Sequence, residues 1–506
     1  MFVRKKKNAS GSVSVQVIDK SRGFRVVKTI GSARIPAEID RLVALGKAFI
    51  DSQRSQFSLF PKEETRNATI LDFLSRVRNS HILTVGPELI FGRLFDQIGF
   101  GVIPDRLFRD IVIARLAYPT SKLKTVDYLY RYQGKTISVQ SVYRFLDRLN
   151  DSYKEQVEGI AFQYSKSILG SISVVFYDMT TLYFENEDED DLRKMGFSKD
   201  GKFEHPQIML GLLVGENGYP IGYDIFEGNT FEGHTLVPVL EGIEKKYGFG
   251  KPVVVADAAM LSKMNLKKLD GEKYGFIVGA RLRNESEEIQ TEILKRSRGL
   301  KNGDSFVLEK PNGCRLVVSY SDKRAAKDAF NRNKGIKKLR KKIKSGKLTK
   351  KHINNHGYNK FLTLKGEVRI ALDEEKINEA ARWDGLKGYL TNTNHSAAKV
   401  IDNYRQLWRV EKAFRISKTD LRIRPIHHYR AKRIKAHVCV AFVAYAIYKE
   451  LDRLLIEGGM PFSTQRAIEL THTMYQMVVE LPDDPERKHV LLGMDPDQKL
   501  LYDLLY

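Results

Sequence analysis

Five strand-like segments, with one helix between the third and the fourth, constrain this chain more than any other feature of its sequence. Residues 173–184 form a long run of β-branched and aromatic side chains. Residues 206–214 and 219–226 form two more, joined by a turn at Gly215-Glu216-Asn217-Gly218. A helical segment follows at 235–247, with Pro238 tolerated near its first turn. Buried-type strands then stand at 252–257 and 275–280. A right-handed strand-helix-strand crossover returns the fourth strand beside the first. The predicted class is α/β, with a ribonuclease-H-like mixed sheet as its core.

The flanking regions read differently. Residues 1–35 predict a β-hairpin from strands at 12–17 and 24–30. Helical periodicity dominates from 36 to 168. Within it a capped helix starts near Thr120-Ser121, a turn falls at Gln133-Gly134-Lys135, and Ser138 caps a second helix that turns Val142, Phe145, Leu146 and Leu149 inward. Two short helices around a glycine turn fit a helix-turn-helix, and a plain helical bundle fits as well. Residues 284–384 predict a β-rich insertion, with strands at 305–308, 315–320 and 367–372. The core then divides into 169–283 and 385–450. Amphipathic helices are expected over 451–506, with Met474, Met477 and Val478 in an apolar stripe.

Charge narrows the partners. Lys and Arg number 85 against 62 Asp and Glu, a net +23; so basic a chain meets a polyanion, usually nucleic acid. Between Arg332 and Lys351, 11 of 20 residues are Lys or Arg and none is acidic. Lys337, Lys338, Arg340 and Lys341 are therefore read as phosphate-contacting residues, against the alternative of a solvated face. If the paired helices bind DNA, Gln140 and Arg144 near the start of the second face base edges. The two cysteines, Cys314 and Cys439, form no metal or disulfide motif. Apolar runs are too short to span a bilayer and no secretory h-region follows Met1, so a cytoplasmic protein without membrane contact is expected. There is no phosphate-loop motif for ATP hydrolysis.

The chemistry falls to carboxylates. Asp178 interrupts an apolar strand, where an unpaired carboxylate is costly. Asp257 ends its strand, where ligands gather in sheets with such crossovers. Tyr404, Glu411 and Lys418 are seven apart, nearly two turns, and so share one helical stripe beside Leu407, Val410 and Phe414. That spacing predicts a Glu411 turned toward the sheet. The acidic run 185–191 sits in one loop, cannot converge as three separate elements can, and reads as solvated.

Residues 255–262, residues 228–230 with Glu232, and residues 404–418 followed by 421–426 resemble the DDE transposases of bacterial insertion sequences. The likeness is to the branch with a strand-rich insertion and a Tyr-x2-Arg-x3-Glu-x6-Lys signature. The resemblance implies a catalytic triad of Asp178, Asp257 and Glu411 that holds Mg²⁺, with Mn²⁺ as an alternative. It also implies that Tyr404 and Lys418 contact DNA phosphates. The Arg position of the signature holds Leu407, so Arg405 and Arg409 are the possible substitutes, with Arg415 nearby. The implied partners are the element's double-stranded ends and target DNA, bound by a homodimer. A nuclease without strand transfer and a catalytically silent DNA-binding protein remain as alternative readings.

Overall fold

The computed structural model describes residues 1–21, 23–55, 63–185, 188–198, 201, 204–258, 263–271, 274–346, 348, 352–354, 356–365, 369–481 and 484–506. Two compact units divide between His81 and Ile82. The first unit holds a three-stranded antiparallel sheet, β1 (Phe2–Lys7), β2 (Val13–Asp19) and β3 (Arg25–Ala33), in the order β1-β2-β3. Val15, Val17 and Ile18 of the central strand are buried. The expected hairpin is therefore β2–β3, and β1 is an addition. Its four basic residues hide it from propensity reasoning, since lysine is depleted in strands but favoured on exposed edges.

The second unit is built on an eight-stranded mixed sheet. After the short β4 (Ile82–Thr84) come β5 (Val174–Tyr183), β6 (Gln207–Val214), β7 (Pro220–Glu227), β8 (Val253–Ala256) and β9 (Phe276–Ala280). In space they run β7-β6-β5-β8-β9. The first three are antiparallel and β8 and β9 are parallel to β5. This is the strand order of a ribonuclease-H-like core, reached by the expected helix Leu236–Tyr247 between β7 and β8.

The insertion is not a separate body. Its strands β10 (Ser305–Glu309) and β11 (Arg315–Tyr320) extend the core sheet through β14 (Leu386–Thr391), which pairs antiparallel with β9. Of its strands, β12 (Leu362–Lys365) and β13 (Arg369–Leu372) form a pair of their own; residues 367–368 of the expected third strand lie outside the described residues. The basic helix Asp322–Lys344 anchors Ile336 and Leu339 against Phe361, Leu362 and Ile377.

The C-terminal expectation also changes. A helix Thr464–Thr471 is followed by β15 (Tyr475–Leu481) and β16 (Asp484–Leu491), with β15 also pairing β4, and then by the helix Pro496–Asp503. Met474, Met477 and Val478 match a helical spacing. The alternation Tyr475, Met477, Val479 matches a strand equally well, and pairing on both sides of β15 decides between them.

Both sheet faces are covered. Val175, Tyr177 and Met179 pack with Leu236, Leu240 and Ile243 on one side. Val174, Phe176 and Val255 pack on the other with Leu407, Val410, Ala413 and Phe414. That second core also takes in the helix Ala431–Glu457, buried continuously from Ala436 to Leu451, and the N-terminal helices Arg106–Ala117 and Val139–Arg148. A helix apolar on all sides belongs in the middle of a core. No helix among the described residues is long and apolar enough to cross a membrane.

Candidate active site

β5 and β8 run parallel in a register that ends on Tyr177 opposite Ala256. Asp178 and Asp257 are the next residues on the two neighbouring strands. Side chains alternate along a strand. Tyr177 and Ala256 enter the Leu236 core, so both aspartates belong to the opposite face, where the Glu411 helix packs. Asp178 is half-buried and accepts from the backbone N–H of Met179 at 2.7 Å. Asp257, just past the end of β8, is exposed.

The expected single stripe from Tyr404 to Lys418 is modified. The segment divides into helices Ala397–Arg405 and Trp408–Arg415 and a wide turn Ile416–Asp420. Between the helices the backbone tightens, with N–H groups of Leu407, Arg409 and Val410 bonding three residues back, to Tyr404, Gln406 and Leu407. After them it widens, with Leu421 N–H reaching Ile416 at 2.9 Å. Each tightened residue advances about 120° rather than about 100°, so the stripe from Tyr404 to Glu411 is skewed rather than straight. Glu411 is exposed, and its carboxylate acts on the Tyr404 hydroxyl and the Lys387 ammonium. Leu407, at the signature's Arg position, is a core residue.

Tyr404 ties the region together. A Cβ on Gly279 would lie 2.6 Å from the Tyr404 hydroxyl oxygen and 3.3 Å from Ala258 N. The phenol therefore rests on β9 next to the residue after Asp257, and glycine at 279 makes room for it. Burial, with the Asp257 and Glu411 carboxylates adding to it, pushes the Tyr404 hydroxyl up to about 12. The Lys387 ammonium stands 4.4 Å from the centre of the Tyr404 ring. Burial and the neighbouring Arg324 and Arg405 lower its pKa, and Glu411 opposes them.

Tyr404 and Lys387 form one wall of a cleft of about 730 Å³, whose other walls carry Arg281, Arg283, Arg324 and Arg332. Two of these cations have acid partners in the same cleft: Arg332 with Asp384 at 2.5 Å and Arg324 with Asp328 at 3.7 Å. Sequence reasoning missed this cleft. A signal was present: Arg281 and Arg283 directly follow a parallel strand, the position where sheet proteins of this kind bind ligands.

The other expected contacts lie in several places. Lys418 is half-buried in the wide turn and Arg415 is exposed. Arg405 pairs with Asp402 at 3.5 Å, and Arg409 donates to Asn217 at 2.6 Å in the β6–β7 turn. Lys337, Lys338, Arg340 and Lys341 are exposed on their helix. Gln140 and Arg144 are exposed near the start of the helix Val139–Arg148, with Val142, Phe145, Leu146 and Leu149 buried behind them. In the acidic run, Asp190 is held by Arg193 at 2.7 Å. Residues 186–187, and residues 259–262 of the motif after Asp257, lie outside the described residues. Among the described residues no group of three His, Cys, Asp or Glu could hold a metal ion. The donor chemistry of Asp178, Asp257 and Glu411, hard carboxylate oxygens, nonetheless suits Mg²⁺ or Mn²⁺.

The sheet order, with Asp178 on β5 and Asp257 just past the end of the neighbouring β8, defines a protein of the ribonuclease-H-like class. Within that class the chain belongs to the family described as "Transposase DDE domain", which matches residues 169–447. Among solved structures, the piggyBac transposase synaptic complex with hairpin DNA is 12% identical. That match covers 77% of this chain and 78% of the other, with a TM-score of 0.38. The Mos1 mariner paired end complex with Mn is also 12% identical, over 31% of this chain and 54% of the other, with a TM-score of 0.15. No curated protein matches the sequence.

Proposed function

We propose that this chain is a DNA transposase of a bacterial insertion sequence, which binds the element's terminal repeats, cuts them and joins them to target DNA. The supporting observation is the juxtaposition of Asp178 and Asp257 on adjacent parallel strands with the Tyr404 phenol, beside a cleft rich in arginine. Asp178, Asp257 and Glu411 would hold divalent cations. Such ions, when bound, stabilise charge on attacking and leaving oxygens. Three carboxylates repel one another, and a divalent cation supplies the attraction that draws an exposed Glu411 inward.

The chain's own residues supply the rest. Tyr404 is a hydrogen-bond donor at neutral pH, as any phenol is, and its upward shift to about 12 keeps it one into alkaline solution. It is therefore suited to orient a phosphate oxygen beside Asp257. With Leu407 in the core, the positive charge of the signature's Arg passes to Lys387 and Arg324, which reach Tyr404 from β14 and the basic helix. Lys337, Lys338, Arg340 and Lys341 extend the contact along the phosphate backbone, and Lys418 adds another. Gln140 and Arg144 read the terminal repeats. A homodimer pairs the two element ends, and the protein works in the cytoplasm.

The deciding experiment incubates the protein with linear DNA bearing the element's ends and Mg²⁺ or Mn²⁺, then maps cut and joined strands. Cutting at the ends followed by joining is expected. Cutting without joining would assign a hydrolytic nuclease instead, and DNA binding without cutting a silent derivative.

A further inference from the structure

Lys122 opens the helix Lys122–Gln133, whose first turn is capped by Ser121. A lysine at a helix start ordinarily reaches water. This one is 5% exposed, and its buried ammonium has no hydrogen-bond partner. The groups around it are also basic. Arg115 is buried and makes long contacts of 3.5 Å to the carbonyl oxygens of Leu421 and Arg422. His437 meets the Ile423 carbonyl through Nε2 at 2.9 Å, and its buried Nδ1 has no partner. His428 packs edge-on against His437 and Tyr143. These groups, with Arg422 and Arg424, line a cavity of about 270 Å³, and no Asp or Glu lines it among the described residues. Asp147 nearby is engaged by both arms of Arg433, each at 2.8 Å.

Buried cations without a counter-charge are unfavourable unless something compensates them. Here burial and mutual repulsion hold protons off. Lys122 is pushed well below its ordinary value, by burial first and then by Arg115. His437 is lowered by burial, then by Lys122 and Arg115. Guanidinium forks, an ammonium, imidazoles and a helix N-terminus together match the oxygens of a tetrahedral oxyanion.

We propose that this pocket binds a phosphoryl group, gripped by Lys122, Arg115 and Arg422 with His428 as a further donor. It is separate from the carboxylates. Arg424 reaches the ring of Tyr183 at 5.8 Å, and Ile426 bridges to Phe184. That places the pocket at the far end of β5, roughly 17 Å along the strand from Asp178. The group comes either from a DNA strand or from free inorganic phosphate. The anion chemistry stands by itself, and only the DNA source rests on the transposase reading.

The test follows the full chain's melting in inorganic phosphate against chloride of equal ionic strength, together with duplex binding, for wild type and Lys122→Met. Without phosphate the variant should melt higher, since it buries no amine without a hydrogen-bond partner. Phosphate should raise the wild-type melting temperature by several degrees and leave the variant's unchanged. A roughly tenfold loss of duplex affinity in the variant, with phosphate competing against DNA only in wild type, assigns the DNA source. Equal duplex affinity with phosphate stabilisation of wild type alone assigns free phosphate. Identical behaviour of the two proteins in both assays overturns the proposal. Arg422→Gln repeats the comparison should Lys122→Met fail to fold. A protein that passes these tests yet never cuts DNA keeps the pocket and loses the transposase reading.

Discussion

The cleft at Tyr404 and the pocket at Lys122 are both lined with Arg and Lys, and they balance charge in opposite ways. In the cleft Arg332 and Arg324 have carboxylate partners and the walls are open. Such cations can exchange an acid partner for a phosphate at little cost, and they suit a ligand that must arrive, react and leave. In the pocket no Asp or Glu lines the cavity among the described residues, and the buried Lys122 amine has no hydrogen-bond partner. Cations held that way suit a phosphate that stays while the chemistry proceeds elsewhere.

The largest expected effect sits at the cleft's edge. Asp178→Asn, Asp257→Asn and Glu411→Gln should each lower Mg²⁺-dependent cutting by about a thousandfold or more, because residues that act as one unit fail together. DNA affinity should stay within a few fold of wild type. Near-normal cutting by one of the three variants would remove that residue from the set.

Acid should separate the two regions next. Burial, helped by Lys122, Arg115, Arg433 and His427, lowers His428 to about 3. The unfolded imidazole takes a proton near pH 6.5. Between those values the unfolded state binds the extra proton, so the stability from this group is complete above pH 6.5 and is lost as pH falls toward 3. The loss should reach on the order of a few kcal/mol. Tyr404, at about 12, gives the cleft no matching slope in that range. Denaturant midpoints between pH 7 and 3.5 should fall more steeply for wild type than for His428→Asn. Parallel curves would mean that His428 titrates as it does in the unfolded chain.

How much of this was legible in sequence follows from the range of the forces involved. The five core strands and their crossover were readable because β-branched runs, a glycine turn and one amphipathic helix are local signals. The two aspartates were readable because each breaks an apolar strand or ends one. The break between the helices at Tyr404 and Glu411 was not, since a turn tightened by three hydrogen bonds leaves no mark on a seven-residue spacing. Neither was β1 or β16, whose charged residues suit a strand only once a partner lies beside them. The pocket was hidden most deeply: Arg115 and Lys122 lie some 300 residues from the carbonyls and histidines that close it. The signature's Arg, absent at Leu407, was sought at Arg405 and Arg409. In the structure those two engage Asp402 and Asn217, and the Lys387 ammonium lies over the Tyr404 ring.

A smaller effect is expected along the basic helix. Replacing Lys337, Lys338, Arg340 and Lys341 by Gln should weaken binding to all DNA sequences alike. The salt dependence of log affinity should become shallower by roughly one unit for each phosphate that is no longer neutralised. The buried side of that helix, Ile336 and Leu339, is untouched by these changes, so the fold should persist. An unchanged salt slope would make this surface merely solvated and confine phosphate binding to the cleft and the pocket.

The smallest effect per residue concerns the helix Val139–Arg148. Ser138 caps it by accepting from the N–H of Ser141 at 3.1 Å, and Gly134, at φ 66°, ends the helix before it. Val142, Phe145 and Leu146 fix one face in the core, so Gln140 and Arg144 are presented on the other. Such a helix can lie in a major groove with its first turns toward base edges. Gln140→Ala and Arg144→Ala should each reduce discrimination between element ends and scrambled DNA by roughly 1–3 kcal/mol, the worth of a bidentate pairing with a base. Cutting of a pre-nicked end should be spared. Equal losses on specific and scrambled DNA would make both residues phosphate ligands, like those of the basic helix. No loss on either would leave a plain helical bundle, whose exposed face contributes nothing to recognition. The last two outcomes are told apart by salt: binding through a phosphate weakens as ionic strength rises, and a bare surface shows no such dependence.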